Sequence, residues 1–305
     1  MRVLIIGASG FVGLPIAQAL VRAGHIVYGV TRSESKTRML AGEEIIPIVA
    51  QTSDPSPWLP VIATLDVVIE AVGGFDLEKL SPPILNAVSD AATRYRPAHA
   101  PKLTYIYTSG THCHGHNPEL VSDTTPITHP SEVSAWRPAF ERAVANHPVL
   151  NGIVIRPAIL YGRSGSHVAL MFHAARKGEK LKWYGAPGAR WSLIHPDDLG
   201  EMYRLAVEKS AILGGLIFDV ANDFTESVDD LLQRVVEVSG ASGYEYVEPQ
   251  NAFERALAST MRVRPYLARS LLGWQPRKAG LADHMGIYYN SWKASLDDPL
   301  VQARL

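Results

Sequence analysis

The chain has 305 residues, of which 47% are hydrophobic and 19% are charged, so it can bury a sizeable core in one or two domains. Its 29 basic and 30 acidic residues leave a formal net charge of −1, which gives no general attraction to nucleic acid or to an anionic membrane. We therefore expect a small-molecule substrate, no nucleic acid and no membrane as partners, in a monomer or homodimer. One cysteine, Cys113, and an apolar opening too short for a signal peptide predict a cytoplasmic location.

Strands and helices alternate through the first half of the chain. Residues 3–6 form an apolar, β-branched run typical of a strand buried on both faces. A helix over 11–23 and a strand over 26–30 come next. Further strands are predicted at 45–49, 66–72, 103–108 and 153–155, and further helices at 57–65, 82–96 and 133–146. Such alternation predicts an α/β fold with a Rossmann-type, doubly wound parallel sheet.

The regular alternation loosens after residue 161. We assign residues 1–162 to a dinucleotide-binding Rossmann domain, with part of 190–225 returning to it. Residues 163–305 are assigned mainly to a smaller C-terminal substrate lobe. Within that lobe, Ser227-Val-Asp-Asp230 resembles a capping box before a helix. His195-Pro-Asp-Asp198 also predicts a helix start, because proline and acidic residues are favoured in a first turn.

A glycine-rich turn comes after the first strand. Gly7-Ala-Ser-Gly10-Phe-Val-Gly13 has the spacing GxxGxxG and joins a buried strand to an amphipathic helix. Glycines at these positions allow a tight turn, close approach of a phosphate and tight packing of helix on strand. The free N–H groups of the helix attract the phosphate anion. The pattern predicts a dinucleotide site that includes Gly7, Ser9, Gly10, Phe11, Val12 and Gly13.

The end of the second strand indicates which dinucleotide binds. NAD sites usually place Asp or Glu near this point to bind the ribose 2′-hydroxyl, and no acid stands among Thr31, Arg32 and Ser33. Arg32, with Ser33 and Lys36, instead suits a 2′-phosphate. The sequence therefore predicts NADP(H) in preference to NAD(H). Ligands of doubly wound sheets bind at the carboxyl ends of strands, which adds three residues after the fourth strand: Ala71, Val72 and Gly73.

The chain resembles the extended short-chain dehydrogenase/reductase family, in its NAD-dependent epimerase/dehydratase branch. The resemblance runs almost end to end and rests on the glycine-rich turn and on four further motifs: Tyr107-Thr-Ser-Gly-Thr111 with Gly115, Arg156-Pro-Ala-Ile-Leu-Tyr-Gly162, Ile194-His-Pro-Asp-Asp-Leu199 and Leu272-Gly-Trp-Gln-Pro276. It implies a Rossmann core with a C-terminal lobe that closes over the substrate. It also implies that Thr108, Arg137 and Pro157 bind the cofactor.

The positions that are catalytic in that family are altered here. Family members carry a Tyr-x-x-x-Lys pair, usually with a Glu four residues beyond the Lys. Alignment on Glu141 places Arg137 at the Lys position and Val133 at the Tyr position. The usual catalytic Ser falls on Gly110. The resemblance therefore indicates an atypical branch of the family.

Other side chains in this part of the sequence could carry the chemistry. Arg137 could hold ribose hydroxyls or stabilise an oxyanion, although a guanidinium transfers protons poorly; alternatively it is a solvated helical residue. His112 or His114 could act as a general acid, with Tyr161 and Tyr184 as less favoured alternatives. No dispersed third ligand accompanies the histidines, so we predict no metal site. The predicted catalytic residues are Ser109, Thr111, Arg137, His112 and His114.

Three functions are open at this point. The first is an NADPH-dependent reductase of a carbonyl or activated double bond in a small metabolite, in which Ser109, Thr111 and Arg137 polarise the acceptor. An aromatic metabolite would suit Trp183, Tyr184, Arg190 and Trp191, although internal packing explains these residues equally well. The second is a non-catalytic regulator that binds NADP(H) and senses redox state. The third is an isomerase or lyase that retains a bound nucleotide.

Overall fold

The computed structural model describes residues 1–74, 76–164 and 166–296. The chain forms two compact units. Unit 1 comprises Met1–Ser109, Trp136–Arg156 and Leu199–Phe218. Unit 2 comprises Gly110–Ala135, Pro157–Asp198 and the described residues from Asp219 onward.

The strands and helices succeed one another along the whole described chain. The strands are β1 (Arg2–Ile6), β2 (Ile26–Thr31), β3 (Ile46–Val49), β4 (Val67–Glu70), β5 (Thr104–Thr108), β6 (Asn117–Val121), β7 (Asn151–Pro157), β8 (Ile159–Leu160), β9 (Lys180–Tyr184), β10 (Arg190–Ile194), β11 (Ile217–Val220), β12 (Thr225–Ser227), β13 (Gly243–Val247) and β14 (Met261–Val263). The α-helices are α1 (Gly13–Arg22), α2 (Thr37–Gly42), α3 (Leu77–Tyr95), α4 (Arg137–Ala145), α5 (Ala169–Ala174), α6 (Pro196–Glu208), α7 (Val228–Ser239), α8 (Ala252–Ala258), α9 (Leu267–Leu272) and α10 (Met285–Leu296). No helix in the described ranges has the length and apolarity needed to cross a membrane.

A seven-stranded sheet has the order β11-β7-β5-β4-β1-β2-β3. From β1 the chain proceeds outward through β2 and β3, and then crosses to the other side of β1 to form β4 and β5. The pairs of β1 with β2 and with β4 are parallel, as is the pair of β4 with β5. The predicted α/β, doubly wound Rossmann sheet is thereby confirmed. Its strand order reverses between β1 and β4, which is where ligands bind in such sheets.

Apolar strands explain why this sheet forms the core of unit 1. Val3, Leu4 and Ile5 of β1 are fully buried, and β4 is buried along its whole length. Strands covered on both faces require such continuous apolar runs. Each fully buried aliphatic side chain contributes about 1.5–3 kcal/mol. One face of the sheet packs on α3 through a cluster that includes Leu4, Ile6, Val68, Tyr105, Ile84, Leu85 and Val88.

Unit 2 contains two smaller sheets. β12, β10, β14 and β6 lie side by side, β8 pairs with β10, and β9 and β13 form a separate parallel pair. Trp183 and Trp191 are almost completely buried, with ring centroids 6.0 Å apart. These two tryptophans are therefore core residues of unit 2. The predicted helix starts are also present, because α6 begins at Pro196 and the Ser227 hydroxyl accepts the Asp230 N–H at the start of α7.

Two predicted helices begin elsewhere than expected. α3 starts at Leu77, five residues before the predicted start, and contains Pro82 and Pro83 in its interior. The residues four positions before these prolines, Glu78 and Lys79, are exposed, so water can solvate the carbonyl groups that lose a partner. The shorter element predicted at 57–65 is a 3₁₀ helix over Leu59–Thr64.

The predicted continuous helix over 133–146 is wrong. A 3₁₀ turn covers Glu132–Ser134, and α4 starts only at Arg137 with Trp136 as its N-cap. The pyrrolidine ring of Pro138 would clash with a helical carbonyl four residues earlier, so Pro138 favours a helix that begins just before it, with the proline in the first turn. Val133 and Arg137 consequently do not share one helical face.

Candidate functional site

The three glycines of the turn after β1 have different roles. Gly7 has φ +91°, and a Cβ there would lie 2.6 Å from the carbonyl oxygen of Ala71. A Cβ on Gly13 would overlap the carbonyl group of Gly7. Gly10 is exposed, and a Cβ on it would meet only the Gly7 carbonyl oxygen, at 3.1 Å. Gly7 and Gly13 therefore serve internal packing, whereas the outward space above Gly10 is open to a ligand.

The turn leads into the N-terminus of α1. The N–H of Gly10 donates to the Gly7 carbonyl at 3.0 Å, and the N–H of Leu14 donates to the Gly10 carbonyl at 3.0 Å. Val12 is the N-cap, and its apolar side chain makes no capping hydrogen bond. The first N–H groups of a helix have no acceptor within the helix, and the helix dipole is positive at this end. A diphosphate fits the chemistry of this cradle.

Two predicted cofactor-binding segments lie beside the turn. Ala71 and Val72 come after β4 and lie beside Gly7, since a Cβ placed on Gly7 would be 3.2 Å from the Val72 nitrogen. Ala71 is buried, Val72 is half-buried and Gly73 is exposed. The structure therefore brings Gly7, Ala71 and Val72 together at the carboxyl ends of β1 and β4.

The loop after β2, residues 32–36, carries two cationic side chains, one acidic side chain (Glu34) and two serine hydroxyl groups. Arg32 is exposed, and Lys36 ends a 3₁₀ turn over Glu34–Lys36. The hydroxyl groups of Ser33 and Ser35 are 2.7 Å apart. Charge-assisted hydrogen bonds from arginine and hydroxyl donors suit a phosphate monoester. The loop thus offers Arg32 and two serine hydroxyl groups as donors to a bound anion.

Arg137 is half-buried beside the end of β5. Its Nη1 donates to the Tyr107 hydroxyl at 2.8 Å and to the Thr108 carbonyl oxygen at 3.3 Å. The guanidinium lies over the Trp136 ring, 4.9 Å from its centroid, in a cation–π contact. The Thr108 hydroxyl is bonded to the Glu70 carbonyl and lies 2.7 Å from the Tyr203 hydroxyl. Arg137 is thus held at a strand end where ligands of this fold bind.

The Ser109 hydroxyl contacts an internal ion pair. It donates to Glu141 Oε1 at 2.5 Å. Arg156 binds the same carboxylate through Nε at 2.9 Å and Nη2 at 2.5 Å, and all three residues are buried. Ser109 and Arg156 thereby stabilise the Glu141 carboxylate. In the sequence, Glu141 served only to align the chain with the Tyr-x-x-x-Lys pattern.

Thr111, His112 and His114 lie on a 3₁₀ turn in unit 2. Thr111 is fully buried. His114 Nε2 lies 2.8 Å from Asp219 Oδ2, and both side chains are at most 1% exposed. His112 is half-buried, and its carbonyl oxygen accepts N–H groups from Gly115 and Ser131. Of the two predicted histidines, His112 is the more accessible.

The alternative proton donors of unit 2 are poorly suited to proton transfer. The Tyr161 hydroxyl donates to the Ala279 carbonyl at 2.8 Å, and burial raises the pKa of Tyr161 far above its ordinary value. Burial also raises the pKa of Tyr184 and lowers the pKa of His195 to about 4. The predicted cofactor-binding residue Pro157 is buried.

The described residues contain no group of three or more His, Cys, Asp or Glu side chains that could hold a metal ion.

Sequence reasoning missed Glu70. Its buried carboxyl accepts hydrogen bonds from Ser81 and Tyr105. Burial raises the pKa of Glu70 to about 7, although Ser81, Tyr105 and the charge of Arg137 oppose the shift. An acid at the end of an otherwise apolar strand was the available signal, because a buried carboxyl needs nearby donors.

Comparison with known proteins agrees with this geometry. The model of the NAD dependent epimerase/dehydratase family matches residues 3–221. An uncharacterized protein of Schizosaccharomyces pombe is 24% identical over 293 residues, covering 92% of this chain and 97% of the relative. The 4-hydroxy-2-methyl-3-oxo-4-farnesyl-3,4-dihydroquinoline-1-oxide ketoreductase of Stigmatella aurantiaca is 21% identical over 316 residues, covering 100% of this chain and 91% of the relative.

Solved structures share the fold. dTDP-glucose 4,6-dehydratase from Bacillus anthracis str. Ames, in complex with NAD, has a TM-score of 0.78 and 14% sequence identity; the match covers 96% of this chain and 97% of that chain. The matching family model spans well over half of the chain, from β1 through β11. The chain belongs to the NAD dependent epimerase/dehydratase family.

Proposed function

We propose that this protein is an NADP(H)-dependent oxidoreductase that reduces a carbonyl or activated double bond of a small metabolite. The observation that carries the proposal is the open space above Gly10 together with Arg32, which follows β2 directly where NAD sites usually carry an acid; the acid of this loop, Glu34, comes two residues later. The similar ketoreductase of Stigmatella aurantiaca and the NAD complex of the similar dehydratase support a nicotinamide dinucleotide. The preference for a 2′-phosphate rests on Arg32, Ser33 and Lys36.

Each part of the dinucleotide has residues suited to hold it. Gly10 and the N–H groups at the start of α1 would bind the diphosphate. Arg32 and Ser33 would bind the 2′-phosphate. Arg137 would hold the nicotinamide ribose or stabilise negative charge that develops on the acceptor oxygen. When bound, the cofactor supplies the hydride.

The proton must come from a group other than Arg137, because a guanidinium keeps its proton. Val133 has no hydroxyl, and the Ser109 hydroxyl is a hydrogen-bond donor to Glu141. His114 is held by the buried Asp219. Of the two candidate histidines, His112 is half-buried and His114 is buried, so we propose His112, the more accessible of the two, as the proton donor of the reaction.

A non-catalytic, redox-sensing regulator is the second candidate. Two observations favour it. Val133, at the position of the family's Tyr, has no hydroxyl, and the hydroxyl of Ser109, next to the position of the family's Ser, donates to Glu141. Arg137 would then bind the cofactor without polarising an acceptor. An isomerase or lyase that retains its nucleotide would use the same cradle.

Calorimetric titration with NADPH and NADH tests the binding site. We expect NADPH to bind more tightly than NADH, and Gly10→Val to abolish binding of both in a folded protein, because the new side chain fills the phosphate position. Gly42→Val is the control, since a Cβ at Gly42 meets nothing within 4 Å. Wild-type affinity in the Gly10 variant would exclude this turn as the cradle.

Assays with a panel of aldehydes, ketones and enones then separate the candidate functions. Net oxidation of NADPH supports the reductase. Binding without turnover of any substrate supports the regulator. Conversion of a substrate without net consumption of the dinucleotide supports an isomerase or lyase.

A further inference from the structure

Thr31 is the last residue of β2 and connects two parts of the proposed cofactor site. Its side chain is buried, with 3% of the residue exposed. The Thr31 hydroxyl lies 3.0 Å from the hydroxyl of Ser9 in the glycine-rich turn. It also accepts the backbone N–H of Ser33, at 3.3 Å. One hydroxyl group therefore contacts both the turn that faces the diphosphate and the loop that faces the 2′-phosphate.

The hydrogen-bonding capacity of a hydroxyl matches this arrangement. A threonine hydroxyl has one proton and two lone pairs. Accepting the Ser33 N–H uses one lone pair and leaves the proton and the other lone pair for Ser9. Because the group is buried, water does not compete strongly for these bonds, and losing the hydroxyl leaves polar partners unsatisfied.

The backbone of Thr31 is held independently of its hydroxyl. The Thr31 carbonyl accepts the N–H of Ala50 at 3.0 Å, and Thr31 is paired with Val49 in the β2–β3 ladder. β2 therefore stays in register without the side-chain bonds. The hydroxyl instead holds the loop after the strand, in which Ser33 precedes the 3₁₀ turn that ends at Lys36.

We propose that Thr31 is a specificity-positioning residue, whose buried hydroxyl ties the glycine-rich turn to loop 32–36 and holds that loop in the shape that receives a 2′-phosphate. The inference rests on the proposed NADP(H) site. Thr31 does not itself touch the dinucleotide, because it is almost inaccessible. It lowers the ordering cost that the loop would otherwise meet when the phosphate binds, which is how preorganisation raises affinity.

The consequence is a selective effect on one cofactor. NADPH presents a phosphate to loop 32–36, whereas NADH presents a hydroxyl there. Loosening the loop therefore lowers the affinity for NADPH more than the affinity for NADH. A residue that only stabilised the fold would weaken both cofactors by the same factor.

The test is the ratio of the two affinities in Thr31→Val, which keeps the branched shape and removes the hydroxyl. Calorimetric titration at one salt concentration should show NADPH affinity reduced about fivefold, in line with the net worth of a hydrogen bond, and NADH affinity reduced less than about twofold. Thr31→Ser restores a hydroxyl and should recover the wild-type ratio. Thr93→Val is the matched control, because the Thr93 hydroxyl makes a local bond within α3, to the Ser89 carbonyl at 3.0 Å, and lies outside loop 32–36.

The outcomes separate this inference from the function on which it rests. A wild-type preference for NADPH with an unchanged ratio in Thr31→Val overturns the role of Thr31 alone. A wild-type protein that prefers NADH, or binds neither dinucleotide, overturns both proposals. If Thr31→Val does not fold, Ser9→Ala breaks the same contact from the other side, and an unchanged ratio in that variant again overturns the inference.

Discussion

Unit 1 and unit 2 are stabilised by different kinds of interaction. Unit 1 is built on apolar parallel strands and on glycines that allow close contact between backbones. In unit 2, three carboxylates accept backbone N–H groups from distant segments: Asp123 from Asp219, Tyr266 and Leu267, Asp198 from Arg277 and Lys278, and Glu226 from Leu281 and Ala282. These partners lie 55 to 144 residues away in the chain. Regular sheets thus rely on repeated apolar patterns, whereas irregular loops rely on single polar contacts.

The largest effect is expected from removing a buried ion pair of unit 1, between Arg156 and Glu141. Arg156→Met leaves Glu141 buried beside Ser109 without its cationic partner. We expect the free energy of unfolding to fall by about 3–5 kcal/mol, because an uncompensated buried charge is costly. Urea unfolding measures the change, and Arg142→Met, at an exposed position of α4, is the control. Equal stability of the two variants would show that the ion pair contributes little.

The second effect concerns the pH dependence of unit 1. Burial raises the pKa of Glu70 to about 7 from its usual 4.5. Between these values the folded chain binds more protons than the unfolded chain, so the contribution of Glu70 to stability decreases as pH rises from about 4.5 to 7. The full loss is at most about 3 kcal/mol.

Glu70→Gln should flatten this dependence, measured as urea unfolding at several pH values. The absolute stability of the variant matters less than its slope against pH, because glutamine changes the bonds to Ser81 and Tyr105 as well. Glu78→Gln, at an exposed position of α3, should leave the slope as in the wild type. A wild-type slope in the Glu70 variant would assign the titration to another group.

The third effect tests the carboxylates of unit 2. Asp198→Asn keeps the shape of the side chain but places an amide NH₂ against a backbone donor of Arg277 or Lys278. We expect a loss of about 2 kcal/mol, the scale of a hydrogen bond to a charged group, and faster proteolysis between residues 273 and 284. Asp230→Asn, at an exposed position of α7, is the control. Unchanged proteolysis would mean that this loop is held by its apolar contacts.

The smallest expected effect is on turnover, and it is measured in one variant of each unit. Under the proposed reductase function, Arg137→Met in unit 1 should lower turnover about tenfold, or about 1.4 kcal/mol in barrier, with a smaller loss of NADPH affinity. Arg142→Met should leave turnover unchanged. His112→Asn in unit 2 should also lower turnover if His112 donates the proton, because asparagine cannot act as a general acid. Full activity of the Arg137 variant would remove this residue from the chemistry.

The parallel sheet was predictable because its signal is repeated. The run at 3–6 and the run at 66–72 each contain several consecutive apolar residues, so a single deviation does not hide the pattern. Helix ends were less predictable. α3 starts before Pro82 because its N-terminal carbonyl groups face solvent, which is a property of exposure and not of local sequence. The strands β12 and β14, with three residues each, are too short for a periodic pattern, and β6, with the sequence Asn-Pro-Glu-Leu-Val, lacks an apolar run.

The candidate site divides in the same way. GxxGxxG indicated a phosphate cradle from spacing alone, and the residues around Arg32 indicated a preference for NADP(H) that stays a prediction. Nothing local to Ser109 or His114 showed that their partners are Glu141 and Asp219. Trp183 and Trp191 could not be assigned from sequence to packing or to ligand binding until their burial in unit 2 was known.

Local sequence was enough to predict the alternating strands and helices of the first half of the chain, the glycine-rich turn and the departure from the Tyr-x-x-x-Lys pattern, because each is encoded by neighbouring residues in a short stretch. The folded chain was needed to show that Glu141 binds Arg156, that Thr31 contacts both Ser9 and Ser33, and that the Glu70 carboxyl is buried. The physical reason is that a hydrogen bond or a desolvation cost depends on which groups become neighbours in space. Neighbours of this kind are set by packing of the whole unit and leave no periodic trace in the chain.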